Sequence, residues 1–176
     1  MKTEISEREL LNKKWGEFKV KDIFSIIEKC KCNNASQFFD WNIPYVWATN
    51  KNNWVMRFIE ADKKFITKWN CVCFVCDGQG SVWYSIYKKE DFVWSTTLKV
   101  WRFEFINEFI SQFLISALDK NRFIYSFWYK RTEERLKNEK ILLPITENEE
   151  IDYKFMENYM KHLMLRKYQK YLDYIW

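Results

Sequence analysis

With 176 residues, the chain is long enough for one domain with a real core and a projecting element. Hydrophobic residues make up 48% and charged residues 30%, which excludes a disordered chain, and no apolar run approaches the ~20 residues of a membrane span. A formal net charge of +5 permits phosphate binding but does not demand it.

The opening Met1-Lys2-Thr3-Glu4 holds an acid and no apolar signal core, so a cytoplasmic protein is expected. Residues 1–14 read as a helix or a frayed lead-in. Trp15 to Val20 alternates as a strand, and Asp22 is placed to cap a short helix through Ile23, Phe24, Ile26 and Ile27. Residues 30–42 are a polar loop. Ile43 to Trp47 is a strand containing Pro44, and it opens onto the polar loop Ala48-Thr49-Asn50-Lys51-Asn52-Asn53. Trp54 to Ile59 and Phe65 to Thr67 are short strands, and Cys71 to Cys76 is a longer, more apolar one. Asp77-Gly78-Gln79-Gly80-Ser81 is a tight turn, with Val82 to Tyr87 as the return strand of a hairpin. Thr96 to Phe103 adds another alternating strand.

The period then changes. Phe109, Ile110, Phe113, Leu114, Ala117 and Leu118 recur at helical spacing. Thr132 to Asn138 is a short charged helix, Lys140 to Ile145 a strand, and residues 146–151 an acidic loop. From Asp152 to Trp176 the chain reads as one long helix of roughly 37 Å. Its apolar stripe, Met156, Tyr159, Met160, Leu163, Met164, Tyr171, Leu172 and Ile175, is wider than one domain contact needs.

No catalytic constellation stands out. The Gly-containing turn lacks the Lys of a phosphate-binding loop, and His162, the only His, sits on a solvated helix beside Lys161, Arg166 and Lys167. Five Cys in an odd set fit reduced thiols packed as small hydrophobes. A zinc site would need Cys30, Cys32, Cys71, Cys73 and Cys76 to be gathered by coincidence of the fold. No cofactor or metal is therefore expected.

Binding has better support. Thr49, Asn50, Lys51, Asn52, Asn53, Gln79 and Ser81 lie on loops between strands, and Asn and Gln can form paired hydrogen bonds with adenine. A basic stretch of Arg122, Lys130, Arg131, Arg135 and Lys137 interleaves with Phe123, Tyr125, Trp128 and Tyr129, as a phosphate-lined surface requires. The plainer reading is that the Asn pair shapes a turn, the Gly pair closes a hairpin and the charges are solvated. The 20% aromatic content points to rings on a partner-facing surface, or equally to a ring-heavy core.

Five segments in order resemble the specificity subunit of type I restriction-modification systems. They are Trp15-Gly16-Glu17-Phe18-Lys19-Val20-Lys21-Asp22-Ile23-Phe24, Ile43 to Asn53, Asp77 to Tyr84, Arg135 to Ile145, and Ile151 to Tyr159. The family often has Gly where Trp54 stands, and usually carries two recognition domains and two long helices. The resemblance implies a mixed α/β (α+β) target-recognition domain over residues 1–151, with a mixed β-sheet core, and a helix over 152–176 for dimerisation or subunit docking. It implies binding to double-stranded DNA, no catalysis by the chain itself, and chemistry done by docked methyltransferase and nuclease or translocase subunits. It also implies a homodimer reading a symmetric split site. On this reading Asn52, Asn53, Gln79 and Ser81 contact bases, and Lys51, Arg122, Lys130 and Arg131 contact phosphates. Two other readings stay open: a helix-mediated regulator that docks on restriction-system subunits without reading DNA, and a small independent nuclease.

Overall fold

The computed structural model describes residues 7–32, 34–49, 51–77, 84–126 and 128–175. In chain order the elements are α1 (Glu7–Asn12), β1 (Trp15–Lys19), α2 (Val20–Ile23), β2 (Ile26–Glu28), β3 (Ile43–Val46), β4 (Val55–Ile59), β5 (Cys71–Val75), β6 (Ser85–Lys88), β7 (Val93–Trp94), β8 (Leu98–Arg102), α3 (Glu108–Lys120), α4 (Glu133–Asn138), β9 (Lys140–Pro144) and α5 (Tyr153–Ile175). Three 3-10 turns, Ala35–Gln37, Asn52–Trp54 and Asn121–Ile124, lie in the connections.

Strand β5 is apolar at every position, and all five residues are buried. Successive strand side chains point to opposite faces, so such a strand must be covered on both sides. It sits inside an antiparallel sheet of order β2-β8-β5-β6. On one face Val72 and Phe74 join Trp101, Phe113, Leu114 and Leu118, so α3 is the cover. The ring of Phe24 meets Phe74, Trp101 and Phe103 edge-on, at 5.6, 5.9 and 5.2 Å between centroids. On the other face Cys71, Cys73 and Val75 pack with Val46, Trp54, Phe92 and Trp94 around a second sheet, of order β4-β3-β7. In that sheet β3 pairs antiparallel with β4 and parallel with β7. Burial pushes the Cys73 thiol well up and the Cys76 thiol to about 12, so both stay neutral and act as small apolar groups. A separate antiparallel ribbon, β1 with β9, joins the N-terminal strand to the segment before α5.

The helix ends follow ordinary capping chemistry. Asn107 accepts a hydrogen bond from the Ile110 N–H at the start of α3, and Thr132 accepts one from Arg135 at the start of α4. At the start of α5, Asp152 Oδ1 accepts from the Phe155 N–H at 2.9 Å, and its Oδ2 takes Lys13 Nζ at 2.6 Å. Among the described residues no helix is long and apolar enough to cross a membrane.

Three sequence expectations change. The early helix is α2, which ends at Ile23 with Asp22 inside it, and Ile26 to Glu28 is a strand instead. Pairing with β8 wins there over local helix spacing: the Ser25 N–H bonds the Arg102 carbonyl, and the Arg102 guanidinium reaches Glu28 at 2.5 Å. Phe65 to Thr67 makes only a single bridge, Thr67 to Phe92. The division at residue 151 does not follow the packing. Met156 is wholly buried in the main core and Tyr159 and Met160 pack against it, whereas every described residue from Leu165 onward is exposed.

Asp152 supplies a test of how α5 is anchored. Burial raises its carboxyl pKa, but hydrogen bonds from Lys13 and the Phe155 N–H outweigh that, and the group sits below its usual value. Asp152→Ala should cost about 1–2 kcal/mol in denaturant unfolding, while Asp152→Asn, which keeps the cap, should cost about 1 kcal/mol or less. Because the folded pKa is depressed, the ionic contribution is complete above the unfolded value of about 3.9 and fades as pH falls through the folded one. The gap between the native chain and Asp152→Asn should therefore close as pH falls through the depressed folded pKa.

Candidate nucleic-acid interface

Strand register gathers several connections at one end of the molecule. Strands β3 and β7 run parallel, with Val46 opposite Trp94 at their C-terminal ends. Residues 95–97 then turn the chain into β8, whose first residue, Leu98, lies opposite Val75 at the end of β5. Strand β6 begins at Ser85, opposite Phe74. The connections 47–54, 76–84 and 95–97 therefore leave the frame on the same side. Backbone hydrogen bonds tie them together: Ser95 N to Val46 O at 3.2 Å, and Cys76 N and Asp77 N to Thr97 O at 2.9 and 3.2 Å.

The segment between α3 and α4 joins this end. Lys130 Nζ lies 2.9 Å from Asp77 Oδ1, and the Arg122 guanidinium stacks 3.2 Å from the centre of the Tyr84 ring. Beneath them is a buried ion pair. Arg131 meets Glu139 through Nε and Nη2 at 3.0 Å each, Tyr125 donates its hydroxyl to the same carboxylate at 2.7 Å, and Arg131 Nη1 reaches Ser85 Oγ at 3.3 Å. The Asp119 carboxylate accepts from the Ser85 N–H at 3.1 Å. Burial raises the Asp119 pKa against the pull of the Ser85 N–H, Arg131 and Arg122.

Loop 47–54 has an unusual backbone. Asn52, Asn53 and Trp54 all have positive φ, at 50°, 51° and 64°. Left-handed backbone costs an ordinary residue roughly 1–2 kcal/mol and Asn less, so a bulky Trp there needs compensation. It comes from burial of the Trp54 side chain in the second core, and from the Trp47 N–H bonding the Trp54 carbonyl at 3.0 Å. Lys51, Asn52 and Asn53 remain exposed at the tip.

The family model for the type I restriction modification DNA specificity domain matches residues 12–171. The chain belongs to this family. Among curated relatives, it is 27% identical over 158 residues to the type II restriction enzyme specificity subunit S.BcgI of Heyndrickxia coagulans, covering 89% of this chain and 45% of that protein. The crystal structure of a type I restriction-modification S subunit from M. genitalium superposes with a TM-score of 0.62 at 14% identity, over 94% of this chain and 42% of the other. The HsdS subunit of Thermoanaerobacter tengcongensis gives 0.59 at 14% identity, over 86% and 38%. The mixed α/β fold with its long final helix is thus that of S-subunit recognition domains. The chain spans less than half the length of each of these relatives.

Within this specificity domain, Thr49, Lys51, Asn52, Asn53, Arg122 and Lys130 all lie at the loop-bearing end. Asn50, Gln79 and Ser81 fall outside the described residues, as does most of the tight turn from Asp77 to Ser81. Arg131 is a correction. It is fully buried and held by Glu139, so its charge is spent inside the fold and does not face a phosphate. The sequence reading also missed Ser95-Thr96-Thr97, which bridges the two expected reading loops and exposes Thr96. Three consecutive hydroxyl residues between buried Trp94 and Leu98 were the available signal.

The helix stripe divides in two. Met156, Tyr159 and Met160 pack on their own domain, correcting their expected place on a partner surface. Leu163 lines an apolar groove of about 640 Å³ together with Trp15, Phe113, Leu142 and Tyr159. Tyr171, Leu172 and Ile175 are exposed, and Leu165 and Tyr168 join them at spacings of three and four residues. Met164 is half-buried beside Tyr168 and Tyr171.

Two substitutions separate shape from contact. Asn53→Gly keeps a left-handed backbone possible while removing the amide. Its thermal stability should stay within about 0.5 kcal/mol of the native chain. Preference for a selected duplex should nevertheless fall by about 1–3 kcal/mol relative to random DNA in competition binding. Arg131→Ala should instead destabilise the fold by about 3–5 kcal/mol, because Glu139 is left buried without its partner. Lys130→Ala should barely change stability, yet weaken every duplex alike and reduce the salt slope by about one.

Proposed function

We propose that this chain reads double-stranded DNA as one recognition half of a specificity subunit, in the cytoplasm, and directs separate methyltransferase and nuclease or translocase subunits to its target. The supporting observation is the convergence of polar and cationic loops at one end of a two-sheet frame. Thr49, Asn52 and Asn53 carry donors and acceptors suited to base edges, and Lys51, Arg122 and Lys130 carry charge suited to phosphates. The tethers between these loops hold them in fixed relation, as a groove-reading surface needs. Catalysis is assigned to the partner subunits.

The exposed half of α5 is assigned to association. Leu165, Tyr168, Tyr171, Leu172 and Ile175 form a seam on a helix whose first turns are already committed to the core. A second copy pairing along this seam would supply the second reader and produce a symmetric split site.

Fluorescence anisotropy with duplexes selected from a random pool tests the DNA reading. With roughly four phosphate contacts, raising salt from ~50 to ~200 mM should weaken binding about a hundredfold. Salt-independent binding, or retention of a methyltransferase without any duplex, would favour the regulator instead. For association, Leu165→Glu with Leu172→Glu should convert a dimer to a monomer in sedimentation while circular dichroism of the domain is unchanged. Removing the chain after Ile151, by contrast, should unfold it, because Met156 is part of the core.

A further inference from the structure

The segment between α3 and α4 holds two large rings out toward solvent. Phe123, on the 3-10 turn Asn121–Ile124, is 83% exposed, and Trp128 is 90% exposed. Residues flanking Trp128 are tied to one another. The Ser126 and Tyr129 backbones exchange hydrogen bonds at 3.2 and 3.1 Å, and the Tyr129 ring stacks on Tyr125 at 6.2 Å. Tyr125 is tied in turn to the buried Glu139 carboxylate. Three cations belong to the same stretch of chain. Arg122 lies on Tyr84, Lys130 beside Asp77, and Arg135 on the Tyr129 ring at 3.6 Å with its Nη1 on the Lys130 carbonyl at 2.8 Å.

Exposed rings that share a segment with cations do not suit a purely apolar partner, because each Arg or Lys beside them would have to be stripped of water. They suit a polyanion that also offers apolar faces, and duplex DNA has both in its phosphates and its sugars and stacked bases. The rings also share an end with the candidate reading loops, through the contacts of Arg122 to Tyr84 and Lys130 to Asp77.

We infer that Phe123 and Trp128 form an apolar wedge against the DNA groove, pressing on base steps and sugars while Arg122, Lys130 and Arg135 hold the flanking phosphates. This rests on the DNA reading above and extends it. Side-chain wedges unstack base steps and bend the duplex, so sequences that deform easily are favoured where no side chain contacts a base edge. The protein would thus read target shape beside the base pairs touched by Asn52 and Asn53, with flexible pyrimidine–purine steps preferred under the rings.

The test uses the full chain and a duplex that it has itself selected from a random pool, end-labelled with donor and acceptor dyes. Phe123→Ala with Trp128→Ala should weaken binding roughly tenfold or more, leave the salt slope unchanged, and restore the end-to-end distance of free DNA. Trp128→Phe should keep most of the bend. Both rings are surface residues, so circular dichroism of the double variant should match that of the native chain. If the double variant binds and bends the duplex like the native chain, the wedge is wrong while the DNA reading stands. Unchanged DNA binding with loss of a co-purifying methyltransferase would make the patch a protein-docking surface and overturn the wedge. If the native chain retains no duplex from the pool, the DNA reading and the wedge fall together.

Discussion

Everything in this fold follows from a strand that must be dry on both sides. Cys71, Cys73 and Val75 face one way, Val72 and Phe74 the other, and none reaches water. One cover is α3 and the other is the small β4-β3-β7 sheet. The two covers are recruited by the same five residues, so the domain is three layers locked to one central strand pair. The parallel match of β3 with β7 then fixes where the chain leaves each strand. Gathering loops at one end is a result of this layering, and the backbone bonds of Ser95 and Thr97 tie them to one another there.

The buried pair of Arg131 and Glu139 carries that order to the surface. Glu139 immediately precedes β9, while Arg131 reaches Ser85 at the start of β6. The pair thus joins the α3–α4 segment, the β1-β9 ribbon and the root of the hairpin. Its desolvation is offset by a bidentate geometry, the Tyr125 hydroxyl, and the ring faces of Phe74 and Tyr125 at 5.2 and 5.4 Å from the guanidinium. Such a pair adds little net stability over apolar packing, but it tolerates few arrangements, which is what a mount for surface loops requires.

What the sequence revealed depended on how local the cause was. Helix α3, with six apolar positions at helical spacing, was legible, as were α4, β9 and the antiparallel strands β5 and β6; the Asn107 cap was not singled out. Strand β2 was not, because Ile26 and Ile27 fit a helix equally well and only the distant Arg102 decides between the two. Two-residue β7 is defined by its partner β3 and has no pattern of its own. At the candidate interface, Asn52, Asn53 and Lys130 could be picked by side-chain chemistry. Arg131 looked the same as Lys130 in sequence, and only burial distinguishes a structural cation from an available one. The helix stripe was legible as a pattern, and its first turns pack on the domain while its last turns are exposed. The point at which it passes from core to surface, between Met160 and Leu165, depends on where the domain ends in space.

The left-handed run at Asn52–Trp54 separates two duties that a loop usually combines. Its shape is secured from below by a buried indole, so the two residues at its tip are not needed to fold it. Small residues that accept that backbone, such as Asn, Asp and Gly, can replace one another there without rebuilding the frame. On the DNA reading proposed above, a lineage of such domains acquires new target preferences by exchanging a few tip side chains, each exchange nearly neutral for folding, and the architecture persists while its vocabulary drifts.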